Sequence, residues 1–286
     1  MFSRRNFLAT SVLCLPCIVH AGPRRFGKLP AAFARIEEAN GGRLGVAVLD
    51  TATGERADHR ADERFPMCST FKFLLVSAVL RRVDQHGEAL DRAVSIPQKP
   101  LLFNSPLTEP NAGGTMAIAA LCHAALTQSD NTAANLLLGT IGGPAGITSL
   151  SRSLGDAVTR LDRWETSLNE SLAGDLRDTT SPGAMAGDLE SVLLGNLLSR
   201  PSRDQLTLWM EANLTGLARL RAKLPAGWRA ADKTEIRLHR CSELALRLHQ
   251  QRARLRQARL RLGDVGTRHN AGVELRLRVF EQAREV

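Results

Sequence analysis

Ser69 and Lys72 are the first residues along this chain whose types and spacing suggest chemistry. Pro66 and the small polar residues after it indicate a helix start, and residues three apart on a helix share a face. A lysine amine so placed can accept or orient the serine hydroxyl proton, and backbone N–H groups at the helix start can stabilise an oxyanion. The pair predicts an activated nucleophile, but it arises by chance about once in a chain of this length, so it needs partners.

A second polar group, Ser129-Asp130-Asn131, stands at a break between two helical patterns. Side chains two apart in an extended loop point the same way, so we expect Ser129 and Asn131 to line a cleft. Asp130 is then expected to point back and cap the following helix. A helix cap alone explains Asp130 well and Ser129 poorly, which favours a functional role for Ser129.

Glu165 and Asn169 form a third group, because residues four apart on one helical turn can hold the same water. Taken alone, an exposed surface glutamate is the commoner explanation of such a residue. Arg163 and Asp178 flank this stretch and are predicted to close it as a loop with an ion pair. The group therefore predicts a base that activates water, held in a closed loop.

The last group, Lys233-Thr234, offers an ammonium and a hydroxyl that suit a substrate carboxylate. It follows residues 213–232, which lead toward a predicted strand. Near the other end of the chain, residues 30–39 predict a short helix, and residues 43–50 predict a strand that turns into a second one.

Helical patterns dominate the long stretch between these strands, from Phe65 to about Ala212. A helix, strands, a helical insert and further strands predict two interleaved subdomains in an α/β chain. We assign about 22–64 and 213–286 to an antiparallel sheet flanked by helices, and about 65–212 to an all-helical subdomain.

The composition suits one or two globular domains, since the 286 residues are 43% hydrophobic and 23% charged. The net charge of +9 is unevenly spread: residues 235–286 hold 12 arginines against 6 acids, whereas residues 1–234 are near neutral. This distribution and the absence of tyrosine disfavour a nucleic-acid partner. The histidines are scattered without metal-ligand spacing, so we expect no metal site.

The first 21 residues predict an export signal, in which Arg4 and Arg5 precede a mostly apolar stretch from Phe7 to Val19 and a small-residue ending at Ala21. The two arginines also fit a twin-arginine signal, whose cargo crosses the membrane already folded. An ordinary Sec signal or an amphipathic first helix is the alternative. We expect a periplasmic or secreted protein without stable membrane insertion, because no later segment has the roughly 20 apolar residues that span a bilayer.

Taken together, these groups resemble the motif set of class A serine β-lactamases in order and spacing. The resemblance extends from about Gly42 to Thr234 and implies a fold like that of serine β-lactamases and penicillin-binding proteins. It also implies a monomer that acts on small β-lactam antibiotics and requires no cofactor. The motifs that carry it are Ser69-x-x-Lys72, Ser129-Asp130-Asn131, Glu165-x-x-x-Asn169, Arg177-Asp178-Thr179-Thr180 and Lys233-Thr234.

The mechanism that the resemblance implies begins with attack of Ser69 on the carbonyl of the four-membered amide. Lys72 helps to remove the Ser69 proton, either directly or through Glu165 and a water, and the sequence leaves both routes open. Ser129 then relays a proton to the leaving ring nitrogen. Glu165, together with Asn169, activates the water that hydrolyses the acyl-enzyme.

The resemblance also assigns substrate-binding residues. Lys233, Thr234 and Arg219 are expected to bind the carboxylate of the drug, and Asn131 its acylamide side chain. Glu235 borders the same site, where the family has glycine. A glutamate side chain there could crowd the strand and repel an anionic drug.

Beyond Thr234 the family pattern gives way to an arginine-rich segment, where two apolar strands and a C-terminal helix are expected. One interpretation is a genuine basic tail that deprives the sheet of strands and lowers stability and activity. The other is a change of reading frame in the gene or its sequence, since shifted GC-rich coding tends to produce arginine-rich, aromatic-poor text. Resequencing the DNA across codons 230–286 distinguishes the two.

Two further positions bear on the resemblance. The family usually has an aromatic residue at the cleft mouth where Asn104 stands, and Phe103 beside it is a candidate replacement. In some carbapenem-hydrolysing relatives the cysteine before the nucleophile pairs with one just past the third motif. Here the candidates are Cys68 and Cys241, and because Cys241 lies in the arginine-rich segment we assign no bond.

Two other functions compete with β-lactam hydrolysis. A D-alanyl-D-alanine carboxypeptidase or penicillin-binding protein shares the fold and the serine–lysine chemistry, but such enzymes generally lack the deacylating glutamate, so Glu165 with Asn169 argues against this function. A catalytically impaired homologue is the second alternative, because of Glu235 and the altered C-terminal segment.

Overall fold

The computed structural model describes residues 26–225 and 227–234, together with the backbone of two further strands at 240–248 and 275–283. The predicted export signal at 1–21 and Glu235 lie outside the described residues, so the structure does not address either prediction.

In the order of the sequence, most helices lie between an N-terminal and a C-terminal group of strands. The helices are α1 (Leu29–Asn40), α2 (Phe71–Asp84), α3 (Ile118–Thr127), α4 (Asn131–Thr140), α5 (Pro144–Ser153), α6 (Pro182–Leu193) and α7 (Arg200–Glu211). The strands are β1 (Arg43–Asp50), β2 (Arg56–His59), β3 (Phe65–Pro66), β4 (Ala93–Ser95), β5 (Thr115–Ala117), β6 (Thr179–Thr180), β7 (Arg229–Thr234), β8 (Arg240–Leu248) and β9 (Leu275–Ala283).

A five-stranded antiparallel sheet joins the two ends of the described chain, in the order β2-β1-β9-β8-β7. Strand β1 lies inside it and is buried on both faces, because alternate side chains of a strand point to opposite sides. Leu44, Val46 and Val48 belong to the apolar cluster under α1, whereas Ala47 and Leu49 belong to the main core under the helices. The observed bounds match the predicted strand at 43–50.

Helix α2 is the centre of the helical segment and carries the residues that open the candidate site. Its ten residues from Phe71 to Leu80 are all buried, as expected of a helix that is apolar on every side and surrounded by others. Helices α3, α4, α5 and α7 pack against it. A buried core helix therefore begins two residues after the predicted nucleophile.

The C-terminal strands differ from one sequence-based expectation. A genuine arginine-rich tail was expected to remove strands from the sheet, yet the backbone of β8 pairs with β7, and β9 pairs with both β8 and β1. The reason is that 275–279 alternate leucine or valine with arginine, the period-two pattern typical of a strand. The expected C-terminal helix concerns residues outside the described part of the chain.

The helical segment also contains two short antiparallel pairs that the sequence did not predict, β3 with β6 and β4 with β5. Strands of two or three residues are too short to leave a periodic signal. The fold class, a sheet flanked by helices with a helical insert, is confirmed. Among the described residues, no helix combines the length and apolar character that crossing a membrane requires.

Candidate active site

Ser69 lies in a 3₁₀ turn, Cys68–Thr70, that leads directly into α2. The turn is entered through Cys68, whose φ of 44° lies in the left-handed region. Lys72 stands one turn further on, and its Nζ donates a hydrogen bond to Ser69 Oγ over 2.9 Å. The predicted pairing of hydroxyl and amine is therefore present, although Ser69 precedes the α-helix and does not lie within it.

Lys72 is the polar centre of the site, fully buried and surrounded by oxygen atoms. Besides Ser69, its Nζ donates to Ser129 O over 3.0 Å, to Ser129 Oγ over 3.1 Å and to Asn131 Oδ1 over 2.7 Å. Glu165 Oε1 lies 3.0 Å from the same nitrogen. An ammonium has only three protons, so these contacts share donors and allow a proton to move among the neighbouring groups.

The turn at Ser129-Asp130-Asn131 faces α2 from the start of α4. Ser129 has a φ of 57°, and its Oγ donates to Ser69 Oγ over 2.8 Å. Asp130 points away from the cleft and accepts the backbone N–H of Ala133 over 2.9 Å, as the predicted helix cap does. The same carboxylate accepts the backbone N–H of Thr108 over 2.9 Å, which anchors the turn to a neighbouring loop.

Glu165 lies in the loop between Arg163 and Asp178. Asn169 Nδ2 donates to Glu165 Oε2 over 2.6 Å, so both carboxylate oxygens are engaged, one by Asn169 and one by Lys72. Arg163 Nε donates to Asp178 Oδ2 over 2.5 Å. The predicted ion pair that closes this loop is present in the structure.

Asn135, on α4, is a positioning residue that the sequence did not single out as part of the site. Its Oδ1 accepts the backbone N–H of Glu165 over 2.9 Å, and its Nδ2 donates to the Glu165 carbonyl over 2.8 Å. This double contact holds the backbone of the predicted base against the helix that begins with Asn131. A signal existed in the Asn131-x-x-x-Asn135 spacing, which puts both amides on one helix face.

The Glu165 loop forms one wall of the site, and strand β7 forms the other. Lys233 and Thr234 of β7 are both buried. Lys233 Nζ donates to Ser129 Oγ over 3.2 Å, which links this strand to Ser69 through one hydroxyl. The Thr234 hydroxyl contacts the hydroxyl of Thr215. The structure thus brings Lys233 and Thr234 to the side of the nucleophile.

Behind Lys233 lies a buried carboxylate that the sequence did not reveal. Asp232 forms an ion pair with Arg221 and accepts a hydrogen bond from Asn213 Nδ2 over 2.6 Å. Burial raises the pKa of Asp232, and Arg221 and Asn213 only partly offset that rise. Gly216 is required nearby, because a side chain there would collide with the Asp232 carboxylate.

Arg219, which the resemblance placed at the drug carboxylate, has no side-chain hydrogen bond to the other described site residues. It is half-buried at the start of the 3₁₀ turn Leu220–Lys223, and its guanidinium makes no hydrogen bond or ion pair with any residue that the structure describes. Glu235 lies outside the described residues, as does the side chain of Cys241. The structure therefore leaves the roles of Arg219 and Glu235, and any Cys68–Cys241 bond, as predictions.

The electrostatics of the described site favour an anionic ligand. Two buried lysines, Lys72 and Lys233, face one glutamate across the same small group of hydroxyls. Within the described part of the chain, no group of histidine, cysteine and acidic residues is placed to hold a metal ion. The arrangement combines a nucleophile, two proton-carrying groups, a base and a cationic wall, which is a combination suited to acyl transfer.

The sequence of residues 28–235 matches the model of a family described as the β-lactamase enzyme family. The chain belongs to this family. It is 46% identical over 248 residues to β-lactamase L2 of Stenotrophomonas maltophilia, covering 82% of each chain. It is 50% identical over 202 residues to β-lactamase AST-1 of Nocardia asteroides, covering 71% of this chain and 65% of that one.

Solved structures assign the class. An ancestral class A β-lactamase superimposes with a TM-score of 0.79 at 49% identity, covering 90% of this chain and 92% of that one. The chain is therefore a class A member, and the family resemblance drawn from its motifs is confirmed. The family match ends at residue 235, next to Thr234, where the motif resemblance ends as well. The reading-frame hypothesis for the segment beyond it stays a prediction, which an unambiguous in-frame DNA sequence would refute.

Proposed function

We propose that this protein hydrolyses the β-lactam amide of penicillins and cephalosporins through an acyl-enzyme on Ser69, and so confers antibiotic resistance. The observation that carries the proposal is the contact of Lys72 with both Ser69 and Glu165, at 2.9 and 3.0 Å. It joins the group that activates the nucleophile to the base needed for deacylation. Relatives whose names identify them as β-lactamases support the same reaction.

In the acylation step, Ser69 Oγ bonds to the lactam carbonyl carbon as its proton passes either to a neutral Lys72 amine or through a water to Glu165. The ring C–N bond then breaks, and the ring nitrogen takes the proton of Ser129 Oγ. Lys72 replaces that proton, because its Nζ lies 3.1 Å from Ser129 Oγ. In the second route Glu165 then returns its proton to Lys72, so that Glu165 is again a carboxylate before deacylation.

In the deacylation step, Glu165 takes a proton from water, and the resulting hydroxide adds to the acyl carbon. The Ser69–acyl bond breaks, and Ser69 takes a proton from Lys72, which is replaced by the proton on Glu165. Asn169 orients the Glu165 carboxylate through its 2.6 Å hydrogen bond. We assign substrate binding to Lys233, Thr234 and Arg219 at the carboxylate and to Asn131 at the acylamide, with Glu235 beside them.

We further propose that the protein acts as an exported monomer in the periplasm or outside the cell, without a cofactor or a nucleic-acid partner. The predicted signal at 1–21 and the near-neutral charge of residues 1–234 support this part of the proposal.

The test is turnover of nitrocefin by the purified protein, with intact-protein mass spectrometry after addition of penicillin. We expect the parent to turn over without lasting acylation, Ser69→Ala to lose turnover, and Glu165→Gln to accumulate a stoichiometric acyl adduct. A lasting adduct on the parent, with release of D-alanine from a peptide, would instead identify a carboxypeptidase. Absence of both turnover and acylation would identify an impaired homologue.

A further inference from the structure

Asn104 occupies an unusual place beside the Ser129 turn. It lies on an exposed loop with a φ of 59°, in the left-handed region that asparagine tolerates better than most residues. Its side-chain Nδ2 donates to the carbonyl of Ser129 over 2.9 Å and to that of Gln128 over 3.3 Å. The side chain therefore points at the backbone of the turn, where an aromatic residue was expected to line the cleft mouth.

The backbone around Asn104 holds the other end of the same turn. The Asn104 carbonyl accepts the backbone N–H of Asn131 over 2.9 Å, and the Phe103 carbonyl accepts Asn131 Nδ2 over 2.7 Å. Asn104 thus contacts both Ser129 and Asn131, and Phe103 adds a second contact to Asn131.

The Ser129 carbonyl is shared with the reaction centre. Lys72 Nζ donates to it over 3.0 Å, the same nitrogen that contacts Ser69 Oγ. Ser129 itself has a left-handed φ of 57°, which costs free energy in a residue with a side chain unless neighbouring contacts hold it. The amide of Asn104 supplies one such contact from the solvent side.

From these contacts we infer that Asn104 is a positioning residue for acylation, which acts by fixing the Ser129 turn against Lys72. This inference rests on the proposed function, because it concerns the proton that Ser129 delivers to the leaving nitrogen. Deacylation is expected to be insensitive to Asn104, since Glu165 is held by Asn135, one turn further along α4, and its loop by the Arg163–Asp178 pair, at residues that Asn104 does not bind.

The first test uses Asn104→Gly, which removes the amide and retains the freedom to adopt a positive φ. We expect kcat/KM for nitrocefin, which reports the steps through acylation, to fall about threefold to tenfold, the effect of one lost hydrogen bond. The deacylation rate of a preformed acyl-enzyme is expected to stay within about twofold of the parent. The matched control is His86→Gly, an exposed residue with a φ of 58° at the far end of α2, which should behave as the parent.

A second variant, Asn104→Asp, separates positioning from general loosening. Its carboxylate would face two carbonyl oxygens at neutral pH but could donate a hydrogen bond when protonated. The charged groups that contact Ser129 are Lys72 and Lys233, and both are present in the parent. Because an exposed aspartate is ionised at neutral pH and can only accept hydrogen bonds, kcat/KM of Asn104→Asp at pH 7 is expected to be no higher than that of Asn104→Gly.

The outcomes are distinct. Parental kcat/KM in Asn104→Gly, or equal losses in acylation and deacylation, would overturn the positioning role while nitrocefin turnover by the parent leaves the proposed function standing. A parental kcat/KM for Asn104→Asp at pH 7 would count against it too. Absence of turnover by the parent would overturn both proposals.

Discussion

The two walls of the cleft are each braced by a buried aspartate paired with an arginine, but the two pairs are built differently. In the Glu165 loop, Asp178 binds Arg163 and also accepts the backbone N–H groups of Asp162 and Arg163 over 2.8 and 2.9 Å. Behind β7, the Asp232 side chain binds Arg221 and the side chain of Asn213.

A reactive residue can thus be held through backbone donors or through side-chain donors. Asp178 binds backbone N–H groups, so it fixes the shape of the loop that carries Glu165. Side-chain donors must be ordered one by one, and Asp232 is buried enough that its pKa is raised despite them. We therefore expect loss of Asp178 to impair one catalytic step, and loss of Asp232 to impair folding.

The largest effect is expected from Asp232→Ala, which leaves Arg221 buried without its carboxylate. Removing one partner of a buried pair costs about 3–5 kcal/mol, so the denaturant midpoint should fall strongly. The control is Arg229→Ala, on the same strand as Asp232. It breaks a pair with Glu211 that is more exposed than the Asp232–Arg221 pair, and it should cost less than about 1 kcal/mol. Similar losses in both variants would refute the contrast.

A smaller loss of stability, with a kinetic signature, is expected from Asp178→Asn. The loss of charge against Arg163 should cost about 2 kcal/mol and slow deacylation about tenfold or more, because Glu165 loses its fixed position. The measurement is the lifetime of the acyl-enzyme after a penicillin pulse. Glu170→Gln removes an exposed carboxylate that pairs with the same arginine, and an equally long lifetime there would contradict the argument.

Asp188 is a third buried carboxylate, and it forms no ion pair with an arginine among the described residues. Asp188 accepts a hydrogen bond from Ser151 Oγ over 3.1 Å; burial and the adjacent Asp156 raise its pKa to about 8, and Arg152 offsets only part of this rise. A pKa raised in the folded state means that the native protein holds a proton that the unfolded chain releases. Stability should therefore fall as pH rises from about 4 to about 8, by up to about 1.4 kcal/mol per pH unit.

The measurement is the unfolding free energy between pH 4 and 9 for the parent and Asp188→Asn. The variant should show a shallower decline across this window and be more stable than the parent at the alkaline end. Asp204→Asn, an exposed residue of α7, is the control and should keep the parental profile. Identical profiles for the parent and Asp188→Asn would show that this carboxyl is not held protonated.

The smallest effect is expected at the edge of the β7 wall, from Arg219→Ala. Because its guanidinium contacts no described residue of the site, its loss should raise KM for a penicillin no more than about threefold. Lys233→Ala should lower kcat/KM about a hundredfold, since Lys233 contacts Ser129 Oγ directly. Steady-state kinetics on one penicillin measures both effects, and an unchanged KM in Arg219→Ala would refute its assignment to the drug carboxylate.

Short-range relations were predictable from the sequence alone. The pairing of Ser69 with Lys72, of Glu165 with Asn169 and of Arg163 with Asp178 was read from spacing, and the structure shows the expected contacts. Such pairs need only one turn or one closed loop, so local geometry determines them. The family followed from the order of the motifs, and the comparisons confirm it.

Long-range relations depended on the tertiary structure. Asn131 meets Lys72 across 59 residues of chain, and Arg221 and Asn213 converge on Asp232 from a separate segment. Asn104, expected only as a missing aromatic, instead binds the Ser129 carbonyl. The path of the backbone decides such contacts, because a residue type states what a side chain can bind but not which distant group the fold will bring within 3 Å of it.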